Sequence, residues 1–210
     1  RPLLALLLVC AMALMGVAGY QVSESQGLRS LREDAGHRLD LFAAAVDGII
    51  NRYAHIPSTI QLNQEVLTLL RTPGRPGAGA AANRYLEQLN AHIGSIALFV
   101  MNQQGMVLAA SNWNQPDSFV GEDLSFRSYY LTALGGQPAR HFAIGITRGD
   151  PGYFVAHPIR DGGRVVGVAV IKIGLDALDD AWHLIGAPAL IADRNGVVIL
   201  SSVPEWRYTA

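Results

Sequence analysis

Two basic residues of this sequence stand where a charge is difficult to bury, and together they could bind an anion. Arg127 lies in the aromatic segment SFRSYY, and Lys172 lies inside the apolar run RVVGVAVIKI. A buried charge is costly unless an opposite charge compensates it. Arginine offers a planar fork that fits a carboxylate, and lysine offers a compact positive charge. The hypothesis is that both residues bind one small anion that comes from outside the chain.

Lys172 is predicted to point into the protein. The run that contains it is apolar on both faces, as expected of a central strand. Strand alternation places Lys172 on the same face as Val166, Val168 and Val170. The alternative is that Lys172 ends the strand and extends its ammonium to water along an apolar stem.

Arg127 is predicted near the start of a short helix that has Ser125 as its N-cap. The free N–H groups and the macrodipole of a helix N-terminus attract anions, so Ser125 and Arg127 are both candidate ligand contacts. The alternative is a surface salt bridge between Arg127 and Glu122 or Asp123, and the spacing leaves both interpretations open.

Three further residues are candidates for the same site. Thr147, in the segment GITRGDPGY, could supply a hydroxyl or an N–H donor from a neighbouring strand end. Tyr130 and Tyr153 could close the pocket. For each tyrosine the alternative is a place in an ordinary aromatic core.

Composition and motifs argue against several classes of function. The chain has 210 residues and a net charge of −1, so nothing favours binding to nucleic acid. Its six histidines lack metal-ligand spacing, and we find no nucleophile motif, phosphate-binding loop or catalytic carboxylate pair. The sequence therefore predicts no catalytic residue, no metal site and no cofactor in this segment.

The first half of the chain is predicted to be helical. Residues 2–20 carry no charge and are about as long as a membrane crossing, so residues 1–20 are predicted to be a transmembrane helix. A cleaved signal peptide is the alternative. Apolar residues then recur every three or four positions from Leu28 to Ile56, which predicts a long helix within a helical segment 21–94. After Pro57, residues 58–71 are predicted to form a second helical piece, and the Pro-, Gly- and Ala-rich residues 72–83 are predicted to form a loop. Its apolar stripe could pack against its own domain or form a dimer seam.

The rest of the chain is predicted to be an α+β domain followed by the start of a second one. Residues 95–182 contain two strands, a short helix and then three strands, which indicates an antiparallel sheet covered by helices. The segment Asp161-Gly162-Gly163 is predicted to be the turn between the last two of these strands. The segment LIADRNGVVILSS repeats the pattern of LFVMNQQGMVLAAS at a spacing near ninety-five residues. Residues 183–210 are therefore predicted to begin a related, truncated sheet domain.

Several segments together resemble a known family. AASNWN, FVGEDLSFRSYY, FAIGITRGDPGYFVAHPI, GVAVIKIGLDALDDAW, DRNGVVILSS and EWRY occur in this order over residues 95–208. This string is similar to the periplasmic sensor region of C4-dicarboxylate sensor histidine kinases, the DctB family. The resemblance implies a tandem PAS-like, or double Cache, region between two membrane helices, whose membrane-distal unit binds succinate, fumarate or malate.

The resemblance also implies roles for residues and partners. Arg127 and Lys172 would each hold one carboxylate, and the stretch around Thr147 would supply further donors. It implies a homodimer in the bacterial inner membrane, with the residues after about 20 in the periplasm. A missing cytoplasmic kinase core would use ATP and act on a response regulator.

Two departures and two rival functions qualify this expectation. The family often has tyrosine where this chain has Leu124 and threonine where it has Ile146, so a less polar or differently shaped carboxylate is possible. The same sensor could also serve a chemoreceptor or a cyclic-dinucleotide synthase, since fold does not fix output. A third interpretation is a structural domain without a ligand, whose cations pair internally.

Overall fold

The chain forms a five-stranded antiparallel sheet between two helical layers, followed by a two-stranded hairpin. The computed structural model describes residues 2–144, 151–174, 182, 185–193, 196–207 and 209, without the side chains of 2–11, 13, 14, 18, 144 and 151. The helices are α1 (Pro2–Ala54), α2 (Ile56–Ile60), α3 (Gln64–Arg71), α4 (Ala78–Ile93) and α5 (Ser128–Leu134). The strands are β1 (Ala97–Asn102), β2 (Val107–Ala110), β3 (Ala139–Ile144), β4 (Pro151–Asp161), β5 (Arg164–Ile173), β6 (Leu190–Ala192) and β7 (Val198–Ser201).

The long helix predicted from the apolar stripe is α1, which runs for 53 residues. Its stripe divides into two parts. Leu28, Leu31 and Leu39 are exposed, whereas Phe42 is buried and Ile49 packs beside it against the domain. Within the described part of the chain, no helix is both long and apolar enough to cross a membrane.

The helical connection differs from the sequence prediction at two places. Residues 58–71 were expected to form one helical piece, but α2 and α3 are separate. The Asn63 side chain starts α3, because its Oδ1 accepts hydrogen bonds from the backbone N–H groups of Glu65 and Val66 at 2.9 and 3.1 Å. The predicted loop at 72–83 is also partly helical, since α4 begins at Ala78 in an alanine-rich stretch of high helix propensity.

The sheet confirms the predicted α+β architecture and the central position of the lysine strand. Its strand order is β2-β1-β5-β4-β3, with every neighbouring pair antiparallel. In β5, Lys172 lies opposite Ala97 of β1 and Phe154 of β4. Both neighbouring strands therefore flank the lysine with backbone and apolar side chains.

The two faces of the sheet have separate cores. The face under α5 includes the buried aromatic residues Phe99, Phe119, Tyr129, Tyr130 and Phe154. The other face packs on α2, α3 and α4 and includes Leu86, Leu98, Val155, Ile171 and Ile173. Because side chains alternate along β5, Lys172 lies on the α5 face with Val168 and Val170.

The hairpin β6–β7 repeats the hairpin β1–β2, as the sequence pattern predicted. The Asn102 Oδ1 accepts from the N–H of Met106, and the Asp193 Oδ1 accepts from the N–H of Val197, each at 3.0 Å. The turn glycines that follow, Gly105 and Gly196, have φ values of 86° and 85°. The repeat spacing is therefore 91 positions, from Asn102 to Asp193, rather than about ninety-five.

Gly105 is expected to tolerate substitution poorly, because it lies against the turn that precedes α5. A Cβ at Gly105 would overlap the backbone of Ser125, in addition to straining a left-handed residue. We expect Gly105→Ala to destabilise the protein by about 1–3 kcal/mol more than Gly121→Ala. Gly121 is a matched control, because its φ is 89° and a Cβ there meets nothing within 4 Å. Chemical denaturation of the two variants measures the difference, and equal losses would show that the approach of Ser125 is unimportant.

Candidate functional site

Lys172 is buried on the α5 face, as the strand pattern predicted. Its side chain is only 5% exposed, which rules out a stem that ends in open water. The stem crosses Gly152 of β4, so that a Cβ at Gly152 would lie 2.7 Å from the Lys172 Cε. Lys172 is also the only lysine in the chain.

Two aromatic rings border the Lys172 ammonium. Its Nζ lies 6.0 Å from the ring centroid of Phe119 and 5.9 Å from that of Phe154, within the range of cation–π attraction. Each ring is stacked on a second one, with centroids 4.8 Å apart for Phe99 and Phe119 and 5.0 Å apart for Tyr129 and Phe154. The ammonium therefore lies beside two stacked pairs whose rings cannot easily move.

Arg127 lies two residues before Tyr129, and its charge influences the Tyr129 hydroxyl. Burial raises the pKa of the Tyr129 hydroxyl well above its usual value, and the positive charge of Arg127 partly opposes this rise. The Arg127 guanidinium is half-buried, and its Cζ is 5.0 Å from the ring centroid of the exposed Phe126. Lys172 is thus beside the Phe154 ring, whereas Arg127 influences the stacked Tyr129 through its charge, against an opposite effect of Glu122.

The start of α5 differs from the prediction. The N-cap is Arg127 itself, in an extended conformation with φ −71° and ψ 130°, rather than Ser125. Ser125 instead belongs to the preceding turn, where its N–H donates to the Asp123 Oδ1 at 2.9 Å. The Asp123 side chain thus competes for the hydrogen-bonding groups that would have capped a longer helix.

Tyr130 and Tyr153 do not face the Lys172 ammonium, although Ser125 and Tyr130 are near Arg127 in the chain. The Tyr130 hydroxyl donates to the carbonyl of Asn102 at 3.3 Å. Asn102 ends β1, whereas Ala97 beside Lys172 begins it, roughly 16 Å away along the strand. Tyr153 lies opposite Ile173 on the other face of the sheet. Thr147 lies outside the described residues.

Three aromatic residues around the buried ammonium were not predicted from the sequence: Phe119, Phe154 and Tyr129, which is stacked on Phe154. Asn112, in the segment AASNWN, positions one of these three residues, Phe119. Asn112 is buried, donates from Nδ2 to the carbonyl of Asp117 at 2.7 Å, and accepts from the N–H of Phe119 at 3.4 Å. A buried asparagine with both ends engaged fixes the loop that carries Phe119.

Three cavities of about 340, 490 and 520 Å³ lie elsewhere on the described surface. Two are bounded by α3 and α4, and the third lies between α1 and the segment that leads into β6. None of these three is lined by Lys172 or Arg127. An anion site is therefore indicated by the placement of charges and rings and not by the size of a cavity.

Comparison with known proteins points to one family of sensor domains. Residues 23–208 match the Cache domain family. The chain is 34% identical over 180 residues to the C4-dicarboxylate transport sensor protein DctB of Pseudomonas aeruginosa, covering 86% of this chain and 29% of that protein. The DctB protein of Rhizobium meliloti is 32% identical over 184 residues, covering 88% of this chain and 30% of that protein. The chain thus spans less than a third of the length of these relatives.

The fold is similar to that of solved sensor domains. The crystal structure of the Vibrio cholerae histidine kinase DctB sensor domain superposes with a TM-score of 0.83 at 31% identity, covering 87% of this chain and 70% of that chain. The ligand-binding domain of the Campylobacter jejuni chemoreceptor Tlp3, in complex with 4-methylisoleucine, has a TM-score of 0.62 at 13% identity, covering 83% of this chain and 71% of that chain. The second likeness concerns the fold alone.

The turn before α5 predicts a pH-dependent contribution of Asp123 to the stability of the fold. The backbone N–H of Ser125 is the main cause that lowers the pKa of Asp123, and the Ser125 side chain lowers it further. Ser125→Ala should therefore raise the Asp123 pKa only part of the way to its ordinary value. Because the folded pKa is depressed, this contribution to stability is present above the unfolded pKa and is lost as the pH falls through the folded one. NMR titration of the carboxyl carbon measures the change, and an unaltered pKa would exclude a role for the hydroxyl.

Proposed function

Because this chain belongs to the Cache domain family and is similar to the DctB sensor domain, we propose that it is the extracytoplasmic sensor region of a membrane histidine kinase. Its ligand is a small organic anion, a C4-dicarboxylate or a similar carboxylate. One observation supports this proposal most strongly: the Lys172 ammonium is buried beside Phe119 and Phe154 on the α5 face of the sheet, and Arg127 is the N-cap of α5 itself.

The chemistry of the two cations suits a ligand with two anionic ends. An ammonium and a guanidinium each form strong, charge-assisted hydrogen bonds with a carboxylate. The low polarity around Lys172 strengthens such a bond, because few water molecules compete for the ligand there. A ligand with one carboxylate at Lys172 and another at Arg127 would be held at both ends, with its carbon chain against the aromatic rings.

The identity of residue 124 favours a ligand site less polar than that of many relatives. Leu124 is 1% exposed and packs in the core under α5. A tyrosine, frequent at this position in the family, would offer a hydroxyl that leucine lacks. Ile146, the second departure, lies outside the described residues. We therefore expect the affinity for hydroxylated dicarboxylates such as malate to be no greater than that for succinate.

The proposed sensor is anchored in the bacterial inner membrane by residues 1–20, and the residues after about 20 lie in the periplasm. The support is the uncharged sequence of residues 2–20, which forms the first part of the uninterrupted helix α1. An ATP-dependent kinase core elsewhere in the protein would transfer the signal to a response regulator.

The exposed part of the α1 stripe supports a homodimer. Leu28, Leu31 and Leu39 expose 62%, 66% and 52% of their surfaces, although all three continue the helical spacing of the buried stripe. Pairing with the same helix of a second copy would remove these side chains from water and favour association.

The proposed path for the signal runs from the site to α1 through strands β4 and β3. In β4, Phe154 faces the ammonium, whereas its neighbour Tyr153 faces α1 and packs in the cluster that contains Phe42 and Trp182. Arg140 of β3 also donates a hydrogen bond to Asn51 of α1 at 3.3 Å. A ligand that binds one arrangement of these strands more tightly than another would therefore shift α1 and so change the activity of the kinase.

The two cations are expected to be essential for binding. Calorimetry of the chain with succinate, fumarate and malate should show saturable heat. Lys172→Met and Arg127→Gln should each weaken binding by about tenfold to a hundredfold, since a hydrogen bond to a charged group contributes about 1.5–3 kcal/mol. Arg164→Gln is the control, because Arg164 is exposed at the other end of the same strand.

Two outcomes would contradict the proposal. No heat with any organic acid, from protein shown to be folded, would favour the interpretation of a structural domain. Equal losses in the Arg164→Gln control and in the Lys172→Met variant would indicate a general effect of net charge instead of a site.

The two adjacent tyrosines form a matched pair for a second test. Tyr129→Phe removes the hydroxyl whose pKa the Arg127 charge lowers. We expect this substitution to weaken dicarboxylate binding about threefold to tenfold. Tyr130→Phe removes a hydroxyl bonded to Asn102, and it should leave binding unchanged while lowering stability by up to about 1 kcal/mol. Calorimetry and thermal unfolding measure both effects. The reverse pattern would place the ligand at the Asn102 end of the sheet.

A further inference from the structure

Gly152 is placed so that any side chain there would meet Lys172 before anything else. The three heavy atoms nearest to a Cβ at Gly152 are the Lys172 Cε at 2.7 Å, Cγ at 3.1 Å and Cδ at 3.4 Å. Real Cβ atoms do not approach other atoms as closely as 2.7 Å, so the lysine stem occupies the space that a side chain would fill. The glycine thus lets the stem lie flat across β4.

The ammonium at the end of that stem is confined as well. Phe119 and Phe154 border it at 6.0 and 5.9 Å, and each of these rings is stacked on another buried ring. A lysine side chain usually has four flexible torsions, which let its charge follow ligands of different size. Here, contact with Gly152 along the stem and with two rings at the tip restricts these torsions.

From these contacts we propose that Gly152, Phe119 and Phe154 are positioning residues that hold the Lys172 ammonium at one fixed point. This inference rests on the proposed function and explains how the site would select among anions of different length. If one cation cannot move, the site accepts anions whose second charged end is at a fixed separation from the first. Preorganisation of this kind also reduces the entropy that binding would otherwise remove from the lysine.

The local backbone makes Gly152 a clean position for substitution. Its φ lies outside the left-handed region, so an alanine is compatible with the strand conformation. The glycine itself is not required by a turn, because it pairs with Ala143 inside the β3–β4 ladder. The main consequence expected of Gly152→Ala is therefore a displaced Lys172 side chain.

The experiment measures the affinity for a series of dicarboxylates that differ only in length: malonate, succinate, glutarate and adipate. The wild-type chain should bind one length at least tenfold more tightly than its neighbours in the series. Gly152→Ala should weaken binding of that preferred length at least tenfold and reduce the discrimination between lengths. Gly48→Ala is the control, because a Cβ at Gly48 of α1 meets nothing within 4 Å.

A double-mutant cycle separates positioning from a general structural effect. If Gly152 acts through Lys172, then Gly152→Ala should cause no further loss of binding in a Lys172→Ala background. Independent, additive losses would overturn the proposal. An unchanged length preference in folded Gly152→Ala protein would overturn it as well.

A third variant covers the case in which Gly152→Ala does not fold. Phe119→Leu removes one of the two rings beside the ammonium without adding an atom to β4, and it should also reduce discrimination by length. Retention of full discrimination by this variant would overturn the proposal. If the wild-type chain binds none of the four acids, the proposed function fails. If it binds them and the variants behave like wild type, only this inference fails.

Discussion

A positive charge enclosed in the apolar layer under α5 is the constraint on which the rest of the site depends. Burial of an ammonium is unfavourable unless its surroundings compensate the charge. The surroundings of Lys172 are built for one position of that charge: Gly152 leaves room for the stem, and Phe119 and Phe154 present ring faces to the tip. Phe154 is in turn stacked on Tyr129 of α5, the helix whose N-cap is the half-buried Arg127.

The same strand that contacts the ammonium also contacts the long helix. Residues 153 and 154 are adjacent in β4 and point to opposite faces of the sheet, as alternation requires. The α5 face and the α1 cluster are therefore joined in β4 by one peptide unit, which is the shortest route for the proposed signal. Also on α1, the Arg38 guanidinium donates a hydrogen bond to the carbonyl of Ile185 at 3.0 Å, which connects α1 to the segment before β6.

Much of the fold was predictable because its signals are local. Alternating apolar residues predicted the strands, the residues Gly162 and Gly163 marked the β4–β5 turn, and the repeated turn pattern predicted a second hairpin. The start of α5 was not predictable in the same way. Asp123 engages the N–H of Ser125, so the helix begins only at Ser128. The alanine-rich start of α4 was misjudged because glycine and proline surround it in sequence.

For the candidate site, the sequence indicated the charges but not their setting. Period-two alternation correctly placed Lys172 on a buried face. The partners of that face depend on strand register, which the sequence does not display: Phe154 lies opposite Lys172, and Tyr153 points away. Of two adjacent tyrosines, Tyr129 faces the Phe154 ring and Tyr130 reaches Asn102. Only the position of α5 over the sheet distinguishes them.

The most direct measurement uses the fact that the chain contains a single lysine. Protein labelled with ¹³C and ¹⁵N only in lysine should give one set of side-chain signals, in which the Nζ signal reports the Lys172 ammonium alone. Addition of the dicarboxylate that binds most tightly by calorimetry should shift this signal in a saturable way, with the same Kd. A signal that stays in place while calorimetry records specific binding would contradict a role for the buried ammonium in holding the ligand.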